Sequence, residues 1–197
     1  MSRPLPIFLR HAHGNALPDG IGLSAVLEWL YATGMRISEL IGLPLFQLAD
    51  DAAPSLLIRG KGGRKGFFHP PQARAALDRY RPIRPLFLSS EEGPNPHLFP
   101  SRGKNGHLMR QRVGQLLKEL SISCGMSNNP VSPNGLRHAF ATHLLQKGVD
   151  LLTLKDLLGH KDISTTQIYT HVQTEHWASL LSRHHPLEGG FFPGTLS

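Results

Sequence analysis

The sequence predicts a mainly helical α+β domain, because apolar residues recur at helical spacing in several segments and only one segment has the pattern of a β-hairpin. The 197 residues suffice for one domain with a substantial core. We expect an N-terminal arm at residues 1–20, a globular domain at 21–186 and a C-terminal tail at 187–197. The arm is rich in Pro, Gly and His and has no apolar periodicity, which is typical of a loop.

Two helices and the hairpin are expected in the first third of the chain. The first helix ends near Gly34, and Arg36 opens a second, short one. The apolar positions that predict the first helix are Leu23, Val26, Leu27 and Leu30. In SLLIRGKGGRKGFFHP, two strand-like runs flank a glycine-rich turn, which places Lys61 at the tip or flank of a hairpin.

Two more helices are expected in the middle of the chain. One runs from Pro70 to about Arg81, and a basic helix follows around residues 107–120 after a Pro-rich connection. The basic helix carries Arg110 and Arg112 and is a candidate to lie along DNA.

Helix caps are recognisable in the last third of the chain. Ser132 begins a helix that ends at Gly148, and Asp150 begins the next one. Four leucines of this second helix are expected to face inward: Leu151, Leu154, Leu157 and Leu158.

Two polar residues whose side chains could take part in a reaction follow these helices. Gly159 ends the second helix, so His160 lies just past a helix end. Ser164 and Gln167 have capping-box spacing, which places Tyr169 in the early turns of a further helix.

Composition favours a polyanionic partner. Twenty-one Lys and Arg against fourteen Asp and Glu give a net charge of +7 and a pI near 10.0, so nucleic acid is the leading candidate, although a solvated positive face gives the same composition. A single cysteine, Cys124, excludes an intramolecular disulfide. No apolar run is long enough to span a bilayer, so we expect a cytoplasmic protein without a membrane partner.

The twelve histidines do not form a recognisable metal motif. There is no HExxH, and His138 and His143 are five residues apart, on different faces of a helix. We therefore expect no metal and no cofactor.

Four segments together resemble the catalytic domain of tyrosine recombinases, within the phage integrase family and closest to its Xer branch. They are YATGMRISEL, IRGKGGRK, SPNGLRHAFATHLL and LLGHKDISTTQIYTHV, in the order of that family. The resemblance implies that residues 21–186 are this catalytic domain. It also implies a covalent link between Tyr169 and a DNA phosphate, a double-stranded recombination site, and a homo- or hetero-tetramer on two DNA sites, with a partner recombinase in the second case.

The resemblance assigns a role to each remaining catalytic candidate. Arg36, Arg137 and His160 match residues that bind the scissile phosphate, and guanidinium forks suit that anion. Lys61 matches the general acid that protonates the leaving oxygen. Taken singly, each arginine is more often a surface salt-bridge partner, Lys61 a DNA-backbone contact, and Tyr169 a core residue. Further DNA contacts are expected at Arg59, Arg64, Lys65, Arg110 and Arg112.

Asn134 departs from the family pattern, which usually has histidine three residues before the second arginine. Asparagine can hydrogen-bond a phosphate oxygen but cannot accept the phenol proton. Phenol ionisation at pH 7 costs about 4 kcal/mol, and general-base help is worth about 10² to 10⁴ in rate. We expect cleavage at a reduced rate, with the phosphate, water or His138 as proton acceptor.

Three other functions share parts of this pattern. A recombinase relic would bind DNA without cleaving it, alone or with an active partner, and a type IB topoisomerase would use the same phosphotyrosine chemistry. A helix-turn-helix regulator gives no reason for Tyr169 and Lys61 to accompany the arginines. Most relatives in the family carry a further N-terminal DNA-clamping domain, so DNA binding by this chain is expected to be weaker and salt-sensitive.

Overall fold

The fold is largely helical around one buried helix. The computed structural model describes residues 8, 11–12, 14, 17–48, 55–60, 63–68, 71–88, 94–128 and 130–158. Helix α1, Pro18–Thr33, is the central element, and helices at residues 71–80 and 133–146 pack against it.

Helix α1 is buried on nearly all sides. It begins with Pro18 in its first turn and ends at Gly34, whose φ of 63° is the left-handed conformation that glycine tolerates. The predicted stop at Gly34 and the buried positions Leu23, Val26, Leu27 and Leu30 are confirmed.

The expected N-terminal arm at residues 1–20 needs correction. Helix α1 begins at Pro18, three residues before the predicted boundary, and Phe8 and Ala12 are buried in the core at 0% and 2% exposure. Local composition is rich in Pro and Gly here, but burial of an aromatic ring in the tertiary structure overrides that signal.

A short helix and the hairpin follow. Helix α2, Ile37–Ile41, begins directly after Arg36, as predicted. Strands β1, Ser55–Gly60, and β2, Gly63–Phe68, pair antiparallel with Ser55 opposite Phe68 and Gly60 opposite Gly63, which confirms the hairpin.

Helix α3, Pro71–Tyr80, packs on α1 and continues into a 3-10 helix, Arg81–Phe87. The indole of Trp29 donates a hydrogen bond to the carbonyl of Ala73 at 2.6 Å, which satisfies a polar group inside the interface. The helix expected from Pro70 to Arg81 is therefore confirmed.

The remaining helices are α4, Arg110–Ser123, α5, Pro133–Gln146, and α6, Leu151–Leu158. Ser132 caps α5 by accepting the N–H of Gly135 at 3.0 Å, and Asp150 caps α6 by accepting the N–H of Thr153 at 2.9 Å. The predicted caps are confirmed.

One of the four leucines expected to face inward from α6 does not. Leu154, Leu157 and Leu158 are buried, whereas Leu151 is 56% exposed. Leu151 lies in the first turn of α6, where the helix extends beyond the core.

None of the described helices has the length and apolarity required to cross a bilayer.

Candidate functional site

Arg137 lies early in α5 with its side chain half-buried, where it joins two other elements. Nη1 donates a hydrogen bond to the carbonyl of Gly34, and Nη2 donates one to the carbonyl of Leu158 at 2.6 Å. Both oxygens lie at helix C-terminal ends, where the partial negative charge of the helix dipole stabilises a cation. The guanidinium therefore joins the ends of α1 and α6.

Arg36 lies two residues beyond Gly34 and is the N-cap residue of α2. Its backbone N–H donates to Oε2 of Glu39 at 2.8 Å, and its Nη1 pairs with Oε1 of Glu39 at 3.3 Å. The side chain of Arg36 remains 43% exposed. Glu39 thus orients the guanidinium while leaving it open to a ligand.

The two guanidinium groups interact electrostatically. Burial lowers the pKa of Arg137, the neighbouring Arg36 cation lowers it further, and the Glu39 carboxylate opposes both effects. An arginine remains protonated at neutral pH despite such a shift. Two cations and one carboxylate leave an excess positive charge, which suits a phosphate that can receive several N–H groups.

His160, Tyr169 and Lys61 lie outside the described residues, so their predicted roles remain predictions. The described chain ends at Leu158, two residues before His160. In the hairpin, the paired Gly60 and Gly63 stand on either side of Lys61 in the sequence.

Comparison with known proteins decides the family. The model of the phage integrase family matches residues 8–176, which is most of the chain. The chain belongs to the phage integrase family. The predicted resemblance is therefore confirmed.

The relatives of this phage integrase family member carry Xer names. It is 47% identical over 195 residues to tyrosine recombinase XerD of Caulobacter vibrioides, covering 94% of this chain and 64% of that protein. It is 49% identical over 166 residues to tyrosine recombinase XerD of Brucella suis biovar 1, and the match covers 84% of this chain and 53% of that protein. The chain thus spans between about half and two thirds of the length of these relatives.

Solved structures agree on the fold. The crystal structure of XerA recombinase matches 94% of this chain and 65% of its own, with a TM-score of 0.68 and 25% identity. A pre-cleavage complex of XerH recombinase with its difH substrate matches 90% of this chain and 52% of its own, with a TM-score of 0.68 and 24% identity. The mainly helical phage integrase catalytic fold is confirmed.

Asn134, the departure from the pattern of the phage integrase family, lies in the first turn of α5 and is exposed. It precedes Arg137 by three residues, a spacing that brings two side chains to one side of a helix. Asn134 can therefore add a donor beside the arginines. His138, the alternative proton acceptor, is also exposed.

The predicted DNA contacts of this family member lie away from the two site arginines in sequence. Arg110 is the exposed first residue of α4, and Arg112 is exposed with a 3.8 Å ion pair to Glu119. In the hairpin, Arg59 and Arg64 are directly opposite each other, and Lys65 is opposite Ile58, although their side chains lie outside the description.

The structure adds three residues that sequence reasoning missed. Glu39 orients Arg36, and its spacing of three residues from a helix-opening position is a capping-box signal that was available in the sequence. Tyr31 and His143 form a hydrogen bond across 112 residues of chain, for which no local pattern exists. In the part of the chain that the structure describes, no group of three metal-ligating side chains occurs.

Proposed function

We propose that this chain cuts and rejoins double-stranded DNA at a specific site through a 3′-phosphotyrosyl link to Tyr169. The observation that carries the proposal is the convergence of two cations from separate elements: Arg137 donates a hydrogen bond to the carbonyl of Gly34, two residues before Arg36, and the side chain of Arg36 is 43% exposed. Such a pair suits the charge that develops on a phosphate oxygen during displacement.

The proposed reaction balances without metal or ATP. The Tyr169 oxygen forms a bond to phosphorus as the bond to the 5′ oxygen breaks, the phenol proton passes to solvent or phosphate, and Lys61 protonates the leaving oxygen. Arg36, Arg137, His160 and Asn134 hold the non-bridging oxygens. A 5′ hydroxyl from a partner duplex reverses the step and exchanges strands.

Burial of the other tyrosines supports Tyr169 as the nucleophile. The chain has three tyrosines, and Tyr31 and Tyr80 are 3% and 2% exposed. Burial raises the pKa of both phenols, which makes them poor nucleophiles and keeps them from a DNA backbone.

The proposal extends to the assembly and its location. A recombination reaction joins two DNA sites, so we propose a tetramer of this chain, alone or with a partner recombinase, on double-stranded DNA. XerH, a structural relative, is bound to its difH substrate. The cytoplasmic location predicted from composition remains a prediction.

A nicked suicide substrate tests the proposal. Cleavage beside the nick releases a short fragment and traps a covalent adduct, visible as a denaturation-resistant shift. Wild-type protein and the Tyr80→Phe control should form the adduct, and Tyr169→Phe should not. Binding without an adduct would support the recombinase relic, and relaxation of supercoils without strand exchange would support a type IB topoisomerase.

A further inference from the structure

We infer that Tyr31 and His143 form a positioning pair that sets the location of the Arg137 guanidinium. The inference deepens the proposed function and, for its effect on cleavage, rests on it. Neither residue belongs to the predicted catalytic set, yet both lie in the segments that supply Arg36 and Arg137.

The pair is a hydrogen bond inside the interface between α1 and α5. Tyr31 lies in the last turns of α1, and its Oη meets Nδ1 of His143, near the end of α5. The rings pack edge to face, with centroids 5.9 Å apart and planes at 69°. The hydroxyl is fixed by both the hydrogen bond and the ring packing.

The hydrogen bond joins two neutral groups. Burial lowers the pKa of His143, and the nearby Lys147 cation lowers it further, so the imidazole is neutral at pH 7. Burial raises the pKa of Tyr31, so the phenol keeps its proton. Both partners are therefore neutral, and the hydrogen bond joins the phenol oxygen to Nδ1 of a neutral imidazole.

This hydrogen bond is one of the polar contacts that join α5 to the end of α1. Another is the hydrogen bond of Arg137 to the carbonyl of Gly34; Gly34 lies three residues beyond Tyr31, and Arg137 lies six residues before His143. Together with the buried side chains of α5, hydrogen bonds at separate points constrain the rotation of this helix about its axis.

Packing between the two contacts prevents α5 from sliding. Phe140 lies between Arg137 and His143 in α5, and its ring lies so close to Gly34 that an added Cβ there would be 2.5 Å from Cδ1. Because the Phe140 ring blocks sliding of α5 past Gly34, we expect the helix to respond to loss of the hydrogen bond at His143 by rotating about its axis. This rotation moves Arg137.

Small movements of a phosphate-binding group have large kinetic effects. A displacement of about 1 Å costs roughly a hundredfold in rate. Loss of the Tyr31 hydroxyl is therefore expected to slow cleavage by roughly ten- to a hundredfold while leaving DNA affinity within about twofold, because most phosphate contacts remain.

Three variants and a control test the pair. Tyr31→Phe removes only the hydroxyl, His143→Leu removes the hydrogen-bonding nitrogen, and His143→Asn keeps a hydrogen-bonding group at the δ position. Tyr80→Phe is the matched control, since Tyr80 is also buried but packs against Phe87 and Phe99. The readouts are the Nε–H NMR signal of Arg137 in the DNA-free protein, and the adduct rate and DNA affinity on the nicked substrate.

We expect Tyr31→Phe and His143→Leu to shift or broaden the Arg137 signal and slow adduct formation, with partial rescue in His143→Asn and no change in Tyr80→Phe. An unchanged Arg137 signal in Tyr31→Phe overturns the inference, whatever the thermal stability of this variant. If Tyr31→Phe changes the Arg137 signal but the wild-type protein forms no adduct, the positioning pair is supported and the proposed function is contradicted. The failure of one proposal is therefore distinguishable from the failure of the other.

Discussion

Arg137 donates a hydrogen bond from Nη2 to the carbonyl oxygen of Leu158 across 2.6 Å. The contact ties the early part of α5 to the last residue of α6, two residues before His160. Through Nη1 the same guanidinium reaches Gly34, two residues before Arg36. Arg137 thus joins the ends of α1 and α6, and a guanidinium carries more N–H donors than these two carbonyls occupy.

Replacing Arg137 by lysine should therefore lower both stability and activity. A lysine ammonium lacks the planar fork that spans two carbonyls. We expect Arg137→Lys to reduce the free energy of unfolding by about 1.5–3 kcal/mol and to slow adduct formation by about 10² to 10³. Urea denaturation and the nicked-substrate assay measure the two effects. Arg110→Lys, at an exposed site, should leave stability unchanged; equal losses in both variants would refute the bridging role.

Gly34→Ala should be among the most damaging single-methyl changes in the chain. The residue has a φ of 63°, and an added Cβ would lie 2.5 Å from Cδ1 of Phe140 and 3.0 Å from Cδ2 of Leu158. Strain and overpacking together predict a loss of about 2–5 kcal/mol in unfolding free energy. Gly114→Ala is the control, because nothing lies within 4 Å of a Cβ there.

Gly114→Ala should stabilise the protein by about 0.5–1 kcal/mol, since Gly114 lies inside α4 and alanine has the higher helix propensity. Chemical denaturation of the two variants in parallel compares them. A Gly34→Ala protein as stable as wild type would contradict the close approach of α1 and α5.

Asn134→His should accelerate formation of the covalent adduct. The exposed position in the first turn of α5 accepts a larger ring without a core clash. An imidazole can accept the phenol proton, so the gain is expected at about tenfold or more near pH 7. Single-turnover cleavage of the nicked substrate measures it, with Asn134→Gln as the control that adds size without a base. No acceleration would contradict the expectation that Asn134 slows cleavage.

Asp150 gives a pH-dependent contribution to the stability of α6. Hydrogen bonds from the Oγ1 and the N–H of Thr153 lower the pKa of the Asp150 carboxyl. A carboxyl whose folded pKa is depressed stabilises the fold above its unfolded pKa of about 4, and this stability is lost as pH falls through the folded pKa.

Asp150→Asn keeps a capping oxygen without the charge. The difference in Tm between wild type and Asp150→Asn should therefore shrink as pH falls below about 4. Thermal unfolding at several pH values measures this difference. Parallel Tm profiles for the two proteins would show that the charge of the cap contributes nothing.

Sequence reasoning succeeded where structure is decided locally. Ser132 and Asp150 cap helices because a side-chain oxygen reaches a backbone N–H three residues away, and both caps are confirmed. Gly34 ends α1 because it adopts a positive φ. The hairpin follows from a glycine-rich turn between two short strands.

The features that sequence reasoning missed are decided by tertiary contacts. Phe8 lies in a segment with the composition of an arm, yet it is fully buried, and Leu151 matches the apolar stripe of α6, yet it is exposed. The hydrogen bond of Tyr31 with His143 joins residues that are 112 positions apart. The periodicity of apolar residues and the local composition predict which residues share one face of a helix or strand. They carry no information on partners that are distant in the sequence.

The predicted catalytic residues fall into two groups, those that the structure describes and those that it does not. The fold brings Arg137 to the carbonyl of Gly34, two residues before Arg36, which sequence order alone does not reveal. The assignments of Lys61, His160 and Tyr169 rest on resemblance to the phage integrase family and remain predictions.

Mass spectrometry of the trapped DNA adduct tests the central claim most directly. After protease and nuclease digestion, a nucleotide remnant should be found on the peptide DISTTQIYTHVQTEHWASLLSR, which contains Tyr169 as its single tyrosine. We expect the remnant on Tyr169 and none on the buried Tyr31 or Tyr80. A remnant on any other residue, or DNA bound and cleaved without a covalent remnant, would contradict the account.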